Sequence, residues 1–234
     1  TAIDLHAAGL HVPAVIDVRA ESEGDLPNQV RALGIRVENG KGIAKVMGRK
    51  SVTGVSLCLQ AGEGKSIEEI DCDAVAMSGG WSPVVHLWSH CGGKLNWSDE
   101  LAHFAPDPTR PPLGADGEGF VKTAGTASGE LITSSALENA HRAGKAAAKA
   151  AGFTAKRKSA PKANDLNEGA LEAVWSMPQG ASDKLKAKSW LDFQNDVKVS
   201  DVELAAREGY ESVEHTKRYT TLGMATDQGK LSNI

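Results

Sequence analysis

Hydrophobic and polar positions follow two periods along the first 150 residues, one typical of helices and one of strands. The opening residues have a helical pattern that stops at Gly9, and residues 12–19 form a short apolar run typical of a buried parallel strand. A helix is then predicted from Asp25 to a stop at Gly34, followed by a strand at residues 35–37. The helical start, and a last residue without capping or tail character, indicate a piece of a longer polypeptide.

Residues 41–60 alternate apolar and polar positions around a Gly-Arg-Lys turn, which predicts an antiparallel β-hairpin. A further strand at 70–77 is predicted to run into the sequence Ser-Gly-Gly-Trp-Ser-Pro at 78–83. A short helix at 84–90 is expected to follow, because proline is well tolerated at the start of a helix.

Proline and glycine are frequent in residues 106–119, which are therefore predicted to form a loop. A strand at 120–124 and a long alanine-rich helix at 134–151 come after it. The order of these elements predicts an α/β fold over residues 1–152. It is a partial two-dinucleotide-binding, Rossmann-like region that includes a β-hairpin.

The chain changes character after this region. Residues 153–165 are polar and carry basic residues, as expected of a linker. Short helical patterns follow at 166–176, 199–208 and 212–220. Residues 166–234 are therefore predicted to be a small all-α module that is distinct in type from the α/β region.

Composition limits the classes of protein that these elements can build. Of 234 residues 41% are hydrophobic and 24% charged, which excludes a disordered chain or a collagen. The net charge of −4 argues against nucleic-acid binding, and no apolar run approaches the ~20 residues that span a membrane. Three scattered cysteines, Cys58, Cys72 and Cys91, with no signal sequence, predict a cytoplasmic protein without a metal site.

Asp17 and Arg19 are the first candidates for cofactor binding. An acidic residue at the end of such a strand accepts both hydroxyls of an adenosine ribose, which favours NAD over NADP. Arg19 would tolerate a 2′-phosphate, and a solvated strand-end carboxylate is the alternative role for Asp17.

Two turns rich in small residues are the next candidates. Ser78, Gly79 and Gly80 follow a predicted strand, and their backbone can approach a cofactor closely because the glycines have no Cβ; the alternative is a plain strand-to-helix turn. Gly125 and Thr126 follow another predicted strand and precede a helix, which is the usual place for a phosphate. No catalytic triad or carboxylate pair stands out, so no catalytic residue is predicted.

These motifs carry a family resemblance. The two turns resemble those of flavoprotein oxidoreductases with two dinucleotide domains, although Thr126 stands where that family has an aspartate that contacts FAD. The sequences Asp-Phe-Gln-Asn-Asp-Val at 192–197 and Lys-Arg-Tyr-Thr-Thr-Leu-Gly-Met-Ala-Thr-Asp-Gln-Gly at 217–229 closely resemble the alpha subunit of heterotetrameric sarcosine oxidases. Residues 81–83 and 105–112 also match, and the resemblance covers essentially the whole chain.

The resemblance implies a part of a multi-subunit flavoenzyme. In that family the alpha subunit carries NAD, the beta subunit carries FAD, and FMN lies near the boundary between them, with gamma and delta subunits completing the complex. The complex demethylates sarcosine to glycine and produces hydrogen peroxide. The sarcosine site and the tetrahydrofolate domain would lie outside this chain. This chain, with the remainder of the alpha chain absent, is therefore expected to be inactive alone.

The tail also resembles a small helical module that binds a 2Fe–2S cluster through Cys-x-Cys and Cys-x4-Cys. The alignment places Asp192, Gln194, Asp227 and Ser232 at the ligand positions, and residues 166–234 contain no cysteine, so no cluster is expected. We hypothesise that the module now serves as an FMN platform, and a surface without a ligand is the alternative. The polar residues proposed to contact FMN are Lys217, Arg218, Thr220, Thr221, Thr226, Gln228 and Lys230.

Three functions remain open at this point. The first is a sarcosine oxidase alpha subunit, and the second is a subunit of a related N-methyl-amino-acid or amine dehydrogenase that passes electrons to a carrier. The third is a non-catalytic scaffold with decayed nucleotide sites, which the threonine at position 126 favours.

Overall fold

The computed structural model describes residues 1–154 and 158–226, and the chain divides into two compact units. The first unit consists of Thr1–Ser22, Val30–Val75 and the chain from Val174 onward. The second unit consists of Glu23–Gln29 and Ala76–Ala173. The predicted division into residues 1–152, 153–165 and 166–234 stays a prediction, and residues 155–157 and 227–234 lie outside the described residues.

The first four elements confirm the prediction from the sequence. Helix α1 (Ala2–Ala7) leads to strand β1 (Ala14–Asp17), and helix α2 (Asp25–Ala32) leads to strand β2 (Arg36–Asn39). Strands β1 and β2 pair in parallel, with Asp17 opposite Asn39 at their carboxyl ends. The backbone at Gly34 has a φ of 76°, a conformation that glycine adopts readily and that ends helix α2.

A three-stranded antiparallel sheet forms the core of the first unit. Strands β3 (Lys41–Gly48), β4 (Val52–Leu59) and β5 (Glu68–Asp71) lie in the order β3-β4-β5, and the predicted hairpin is confirmed. Their buried residues Val55, Leu57 and Ile70 pack against Ala14 and Ile16 of β1. The core therefore supports the strand that ends at Asp17. The strand predicted at 70–77 ends earlier, at Asp71, where its pairing with β4 stops.

The second unit is built around a long helix and a hairpin that the sequence analysis missed. Helix α3 (His86–His90) precedes the antiparallel strands β6 (Leu95–Ser98) and β7 (His103–Pro106). A 3-10 turn then leads to helix α4 (Thr133–Ala150), close to its predicted bounds. The strand predicted at 120–124 is wrong, because these residues form no strand in the structure. An apolar run becomes a strand only when a partner strand is available.

The tail contains short helices and one small hairpin. Helix α5 (Asp183–Lys186) is followed by strands β8 (Trp190–Asp192) and β9 (Val197–Lys198) and by helices α6 (Val199–Arg207) and α7 (Val213–Thr220). Helices α6 and α7 confirm two of the predicted helices, whereas the one predicted at 166–176 is absent. The hairpin corrects the expectation of an all-α module. The fold as described is a mixture of helices and small sheets.

Hydrogen bonds attach the start of the tail to the sheet of the first unit. The backbone N–H of Gln179 donates to the carbonyl of Gln60 at 2.8 Å, and that of Gly180 donates to Gly62 at 3.0 Å. The Nε2 group of Gln60 also donates to the carbonyl of Ser176. The start of the tail is therefore hydrogen-bonded to the connection between β4 and β5. Over residues 1–154 and 158–226, no helix combines the length and apolar character needed to cross a membrane.

His103 in strand β7 is a buried histidine, only 1% exposed, and neither ring nitrogen has a hydrogen-bond partner among the residues that the structure describes. Burial lowers the pKa of His103. The folded state therefore binds a proton on His103 less tightly than the unfolded state does. The contribution of neutral His103 to the free energy of unfolding is fully present above the ordinary pKa of about 6.5 and declines as pH falls below it. We expect the free energy of unfolding to fall by up to about 1.4 kcal/mol for each pH unit in this range.

Thermal unfolding between pH 7.5 and 5 measures this dependence. The His103→Leu variant should lose the acid-side decline, whereas His215→Leu, at an exposed position, should retain it. An identical decline in both variants would show that other groups cause it.

Candidate functional site

The carboxyl ends of β1 and β2 bring together the residues with the strongest functional geometry. Ligands of α/β proteins bind at this edge of a parallel sheet. Asp17 ends β1 and Asn39 ends β2, and the two are paired in register. The N–H of Gly40 donates to the carbonyl of Arg19 at 2.7 Å, which fixes the backbone just after the strand.

Asp17 and Arg19 form a close ion pair at this edge. The Nη2 group of Arg19 lies 2.6 Å from Oδ2 of Asp17, and its Nε and its backbone N–H each donate to Oδ1 at 3.0 Å. Burial acts to raise the pKa of Asp17, but the hydrogen bonds and charge of Arg19 outweigh it and hold the pKa below its ordinary value. Asp17 is therefore ionised at neutral pH. An ionised carboxylate has about four acceptor positions, and Arg19 makes four hydrogen bonds with Asp17, two to each oxygen, so a further donor would have to share or displace one of them.

Arg31 joins the site, although the sequence analysis did not identify it. Its Nη2 group donates to the carbonyl of Ser22 at 3.1 Å and to its hydroxyl at 2.9 Å, and it lies 3.3 Å from Oδ1 of Asn39. The charge of Arg31 also contributes to lowering the pKa of Asp17. Arg31 lies in the last turn of helix α2 rather than next to Asp17 in sequence. A basic residue at a helix end is common, so the sequence contains no specific signal for its role here. Arg19 and Arg31 thus both act electrostatically on Asp17 at this edge.

The Ser78-Gly79-Gly80 turn does not have the predicted strand–turn–helix arrangement. Strand β5 ends at Asp71 and helix α3 begins only at His86, so no strand delivers the chain into this turn. The three residues are exposed, and a Cβ added at either glycine would meet no atom within 4 Å. Their assignment as cofactor contacts remains a prediction from the sequence.

The Gly125-Thr126 turn also differs from the expected phosphate-binding geometry. The N–H of Gly125 donates to Oδ1 of Asn139 at 3.0 Å, so a side chain of α4 already occupies it. Helix α4 begins at Thr133, and the carboxylate of Asp165 accepts hydrogen bonds from the N–H and hydroxyl of Ser134 in its first turn. These bonds hold the pKa of Asp165 below its ordinary value. The positive end of this helix is thus capped by a carboxylate of the same chain.

The polar residues proposed for FMN are distributed over helix α7 and the loop after it. Arg218 pairs with Glu214 at 2.8 Å, and Lys217 lines a cavity of about 320 Å³ beside Tyr210 and Leu222. The hydroxyls of the three threonines donate within the chain, as follows: Thr220 to the carbonyl of Thr216, Thr221 to the carbonyl of Thr220, and Thr226 to Oε1 of Gln194. Gln228 and Lys230 lie outside the described residues.

Two of the positions aligned with cluster ligands hold the tail together through hydrogen bonds. Oδ1 of buried Asp192 accepts from the N–H groups of Gln194 at 2.9 Å and Asn195 at 3.1 Å, and its Oδ2 accepts from the N–H of Gly223 at 3.1 Å. Oε1 of Gln194 accepts from the N–H of Thr226 at 3.1 Å. We call this set of bonds the Asp192 clasp. Within the described part of the chain, no three His, Cys, Asp or Glu side chains are arranged to hold a metal ion.

Comparison with solved structures identifies the fold class. The structure matches that of L-proline dehydrogenase from P. horikoshii with a TM-score of 0.55 and 20% sequence identity, over 92% of this chain and 41% of that chain. The chain therefore has the mixed α/β fold of a part of that protein.

Sequence comparison identifies the relatives. The chain is 37% identical over 99% of its length to sarcosine oxidase subunit alpha of Rhizobium meliloti (strain 1021), and 35% identical over 99% to that of Corynebacterium sp. (strain P-1). The sarcosine oxidase A3 domain family matches residues 186–234. The resemblance to sarcosine oxidase alpha subunits is thus confirmed over nearly the whole chain. The chain spans 21% and 23% of the lengths of these two relatives.

Proposed function

We propose that this chain is a segment of the alpha subunit of a heterotetrameric sarcosine oxidase and contributes a dinucleotide site. The observation that carries the proposal is the 37% identity along nearly the whole chain, with Asp17 at the carboxyl end of a parallel strand. The complete enzyme would comprise the rest of the alpha chain and the beta, gamma and delta subunits. It would oxidise sarcosine to glycine and form hydrogen peroxide.

The residues at the carboxyl end of β1 fit the adenosine end of NAD. The two ribose hydroxyls are donors, and Asp17 is an ionised acceptor whose side chain is 17% exposed. Arg19 holds this carboxylate in one orientation through its three side-chain hydrogen bonds. When bound, NAD would supply a nicotinamide capable of hydride transfer. The role of this chain's residues is to bind and orient the nucleotide.

The surface of helix α7 is the basis of a second assignment, the FMN platform. Lys217 lies at a cavity with an apolar wall that includes Val202 and Leu222, and Arg218 is next to it in sequence. A cation beside an apolar wall suits the phosphate and ring of a flavin. FMN would supply electron-transfer chemistry, and Gln228 and Lys230 are included from the sequence alone.

Substitution of Asp17 tests the dinucleotide site. We expect Asp17→Ala to raise the Kd for NAD at least about tenfold, because two charge-assisted hydrogen bonds to the ribose are lost. Calorimetric titration of the longest alpha-subunit chain that carries this sequence measures the effect. The matched control is Glu69→Ala, which removes one carboxylate from an exposed position on β5. Equal NAD affinity in Asp17→Ala and wild type would refute the assignment of Asp17.

A non-catalytic scaffold is the second candidate function. It is favoured by Thr126, which replaces the aspartate of related flavoproteins, and by the capping of helix α4 by Asp165. Absence of heat on titration with millimolar NAD would support the scaffold. A peroxide assay on the assembled complex separates the oxidase from a dehydrogenase that passes electrons to a carrier.

A further inference from the structure

The segment from Met77 to Leu87, in the second unit, presents four large apolar side chains to solvent. Met77 is 89% exposed, Trp81 86%, Val84 71% and Leu87 77%. Met77 and Trp81 are the most exposed large hydrophobic residues that the structure describes. A single exposed hydrophobic residue is ordinary, but a group of them marks an interaction site. We call these four side chains the Met77–Leu87 surface.

Neighbouring buried residues anchor the segment that carries this surface. Pro83 and Trp88 are both buried, and Nε1 of Trp88 donates to the carbonyl of Lys94 at 2.8 Å. The indole also packs directly against Gly93, where an added Cβ would lie 2.4 Å from Nε1. The exposed side chains of the Met77–Leu87 surface therefore flank positions that are fixed by packing.

The same part of the chain lacks the charge and the backbone pairing of an ordinary surface loop. Residues 74–93 contain no Asp, Glu, Lys or Arg, although these types make up 24% of the chain. Residues 76–84 belong to no helix or strand, and none of them forms a hydrogen bond with another residue in the described part of the chain. Depletion of charge is typical of the core of a protein interface, and unpaired backbone groups are available to a docked segment.

We propose that the Met77–Leu87 surface is the docking site for another part of the same alpha polypeptide, one that lies outside this chain. The inference rests on the proposed function, because it requires this chain to be a segment of an alpha subunit. This chain spans only 21% and 23% of the lengths of its two relatives, so most of such a polypeptide is available to cover the surface. The docked part would present an apolar, uncharged face and backbone groups that pair with residues 76–84.

A part of the same polypeptide fits this surface better than a separate subunit does. A tethered segment is present at a millimolar effective concentration, so it covers apolar groups as soon as the chain folds. Backbone N–H and C=O groups that become buried have to be paired, and a surface that needs both pairing and apolar cover resembles a domain core cut in half. Such surfaces belong to permanent contacts, and contacts within one chain are permanent.

Photo-crosslinking in the assembled enzyme identifies what covers the surface. A benzophenone amino acid replaces Trp81 in the complete alpha subunit, and peptide mass spectrometry after irradiation identifies the crosslinked peptides. We expect them to come from the alpha subunit, outside the 234 residues of this chain. The same amino acid in place of Phe153, an aromatic residue that is 71% exposed beside the polar linker, is the matched control and should give a lower yield.

Methionine oxidation by dilute hydrogen peroxide provides a second measurement, on the unmodified alpha subunit without its partner subunits. Met77 is 89% exposed in this structure and Met224 56%, so an uncovered Met77 would be oxidised at least as fast as Met224. If another part of the alpha polypeptide covers Met77, its oxidation should be slowed at least about tenfold relative to the urea-unfolded subunit, and more than that of Met224.

Each other outcome overturns the inference. Crosslinks to the beta, gamma or delta subunit, or between two alpha subunits, show that a different partner covers the surface. Crosslinks confined to this chain, the same peptides at equal yield from the Phe153 position, or unprotected Met77 show that nothing docks there. These results leave the dinucleotide site intact, because none of them depends on NAD binding. An intact polypeptide no longer than this chain, found by mass spectrometry before irradiation, would refute the proposed function itself.

Discussion

Replacement of Asp192 by alanine is expected to lower the melting temperature of the chain by roughly 5–10 °C. The carboxylate of Asp192 is 5% exposed and accepts hydrogen bonds from the backbone N–H groups of Gln194, Asn195 and Gly223. Alanine would leave these donors without the acceptor that joins the loop after β8 to the loop after α7. Unsatisfied buried donors are among the most costly defects in a folded protein.

The pH dependence of this contribution has a definite sign. Burial acts to raise the pKa of Asp192, but the N–H groups of Asn195, Gly223 and Gln194 outweigh it and hold the pKa below its ordinary value. The stabilisation is therefore complete above the unfolded pKa of about 3.9 and is lost as pH falls through the lower folded pKa. Below that range, wild type and Asp192→Ala should melt at similar temperatures.

Thermal unfolding followed by circular dichroism at pH 7 and at acidic pH checks both expectations. Glu203→Ala removes a carboxylate from the exposed face of helix α6 and should change the melting temperature little. Asp192→Asn keeps one acceptor oxygen and should give an intermediate result. A melting temperature in Asp192→Ala equal to that of Glu203→Ala at pH 7 would show that the Asp192 clasp does not stabilise the tail.

The elements predicted correctly are those whose signals lie within the element itself. Helix α2 is amphipathic and stops at a glycine with a positive φ, and the β3–β4 hairpin has alternating positions around a tight turn. Helix α7 begins after Ser212, whose hydroxyl accepts from the N–H of His215. Such local chemistry is visible in the sequence without knowledge of distant contacts.

The elements predicted wrongly depend on distant partners. The helix expected at 166–176 is replaced by chain without a helix or strand, where the N–H of Asp25 donates to the carbonyl of Asn167 at 2.8 Å and the N–H of Asn167 donates back to the Asp25 carboxylate. Gly24 and Glu168 also form an isolated antiparallel β-bridge. These contacts join positions about 140 residues apart, and no local pattern reveals them. They satisfy backbone groups of Asn167 through a partner outside this segment.

The candidate site shows the same division between local and distant signals. Asp17 and Arg19 are two residues apart at the end of a recognisable strand, so their pairing is accessible to sequence reasoning. Asn39 reaches the site through the parallel pairing of β1 with β2, and Arg31 through its hydrogen bonds to Ser22 and Asn39. The Asp192 clasp joins loops about 30 residues apart. Its residues were recognised by alignment to a metal-binding module, whereas their actual partners are backbone N–H groups.

Replacement of Leu57 by alanine is expected to cost about 3 kcal/mol of unfolding free energy and to weaken the dinucleotide site at the same time. Leu57 is fully buried in β4 and packs with Val55 and Ile70 in a cluster that contacts Ala14 and Ile16 of β1. Deleting most of its side chain removes transfer energy and leaves a cavity that the sheet cannot fill. The cavity would loosen β1, the strand whose end positions Asp17.

Leu59 provides the matched control, since it lies on the same strand but is 50% exposed. Urea denaturation should show that Leu59→Ala costs no more than about 1 kcal/mol, because an exposed leucine loses little burial and leaves no cavity. NAD titration should show weaker binding in Leu57→Ala and unchanged binding in Leu59→Ala. If Leu57→Ala is destabilised but binds NAD as tightly as the wild type, then β1 is held by contacts other than this core. Support of Asp17 would in that case come from the pairing of β1 with β2 rather than from the packing beneath it.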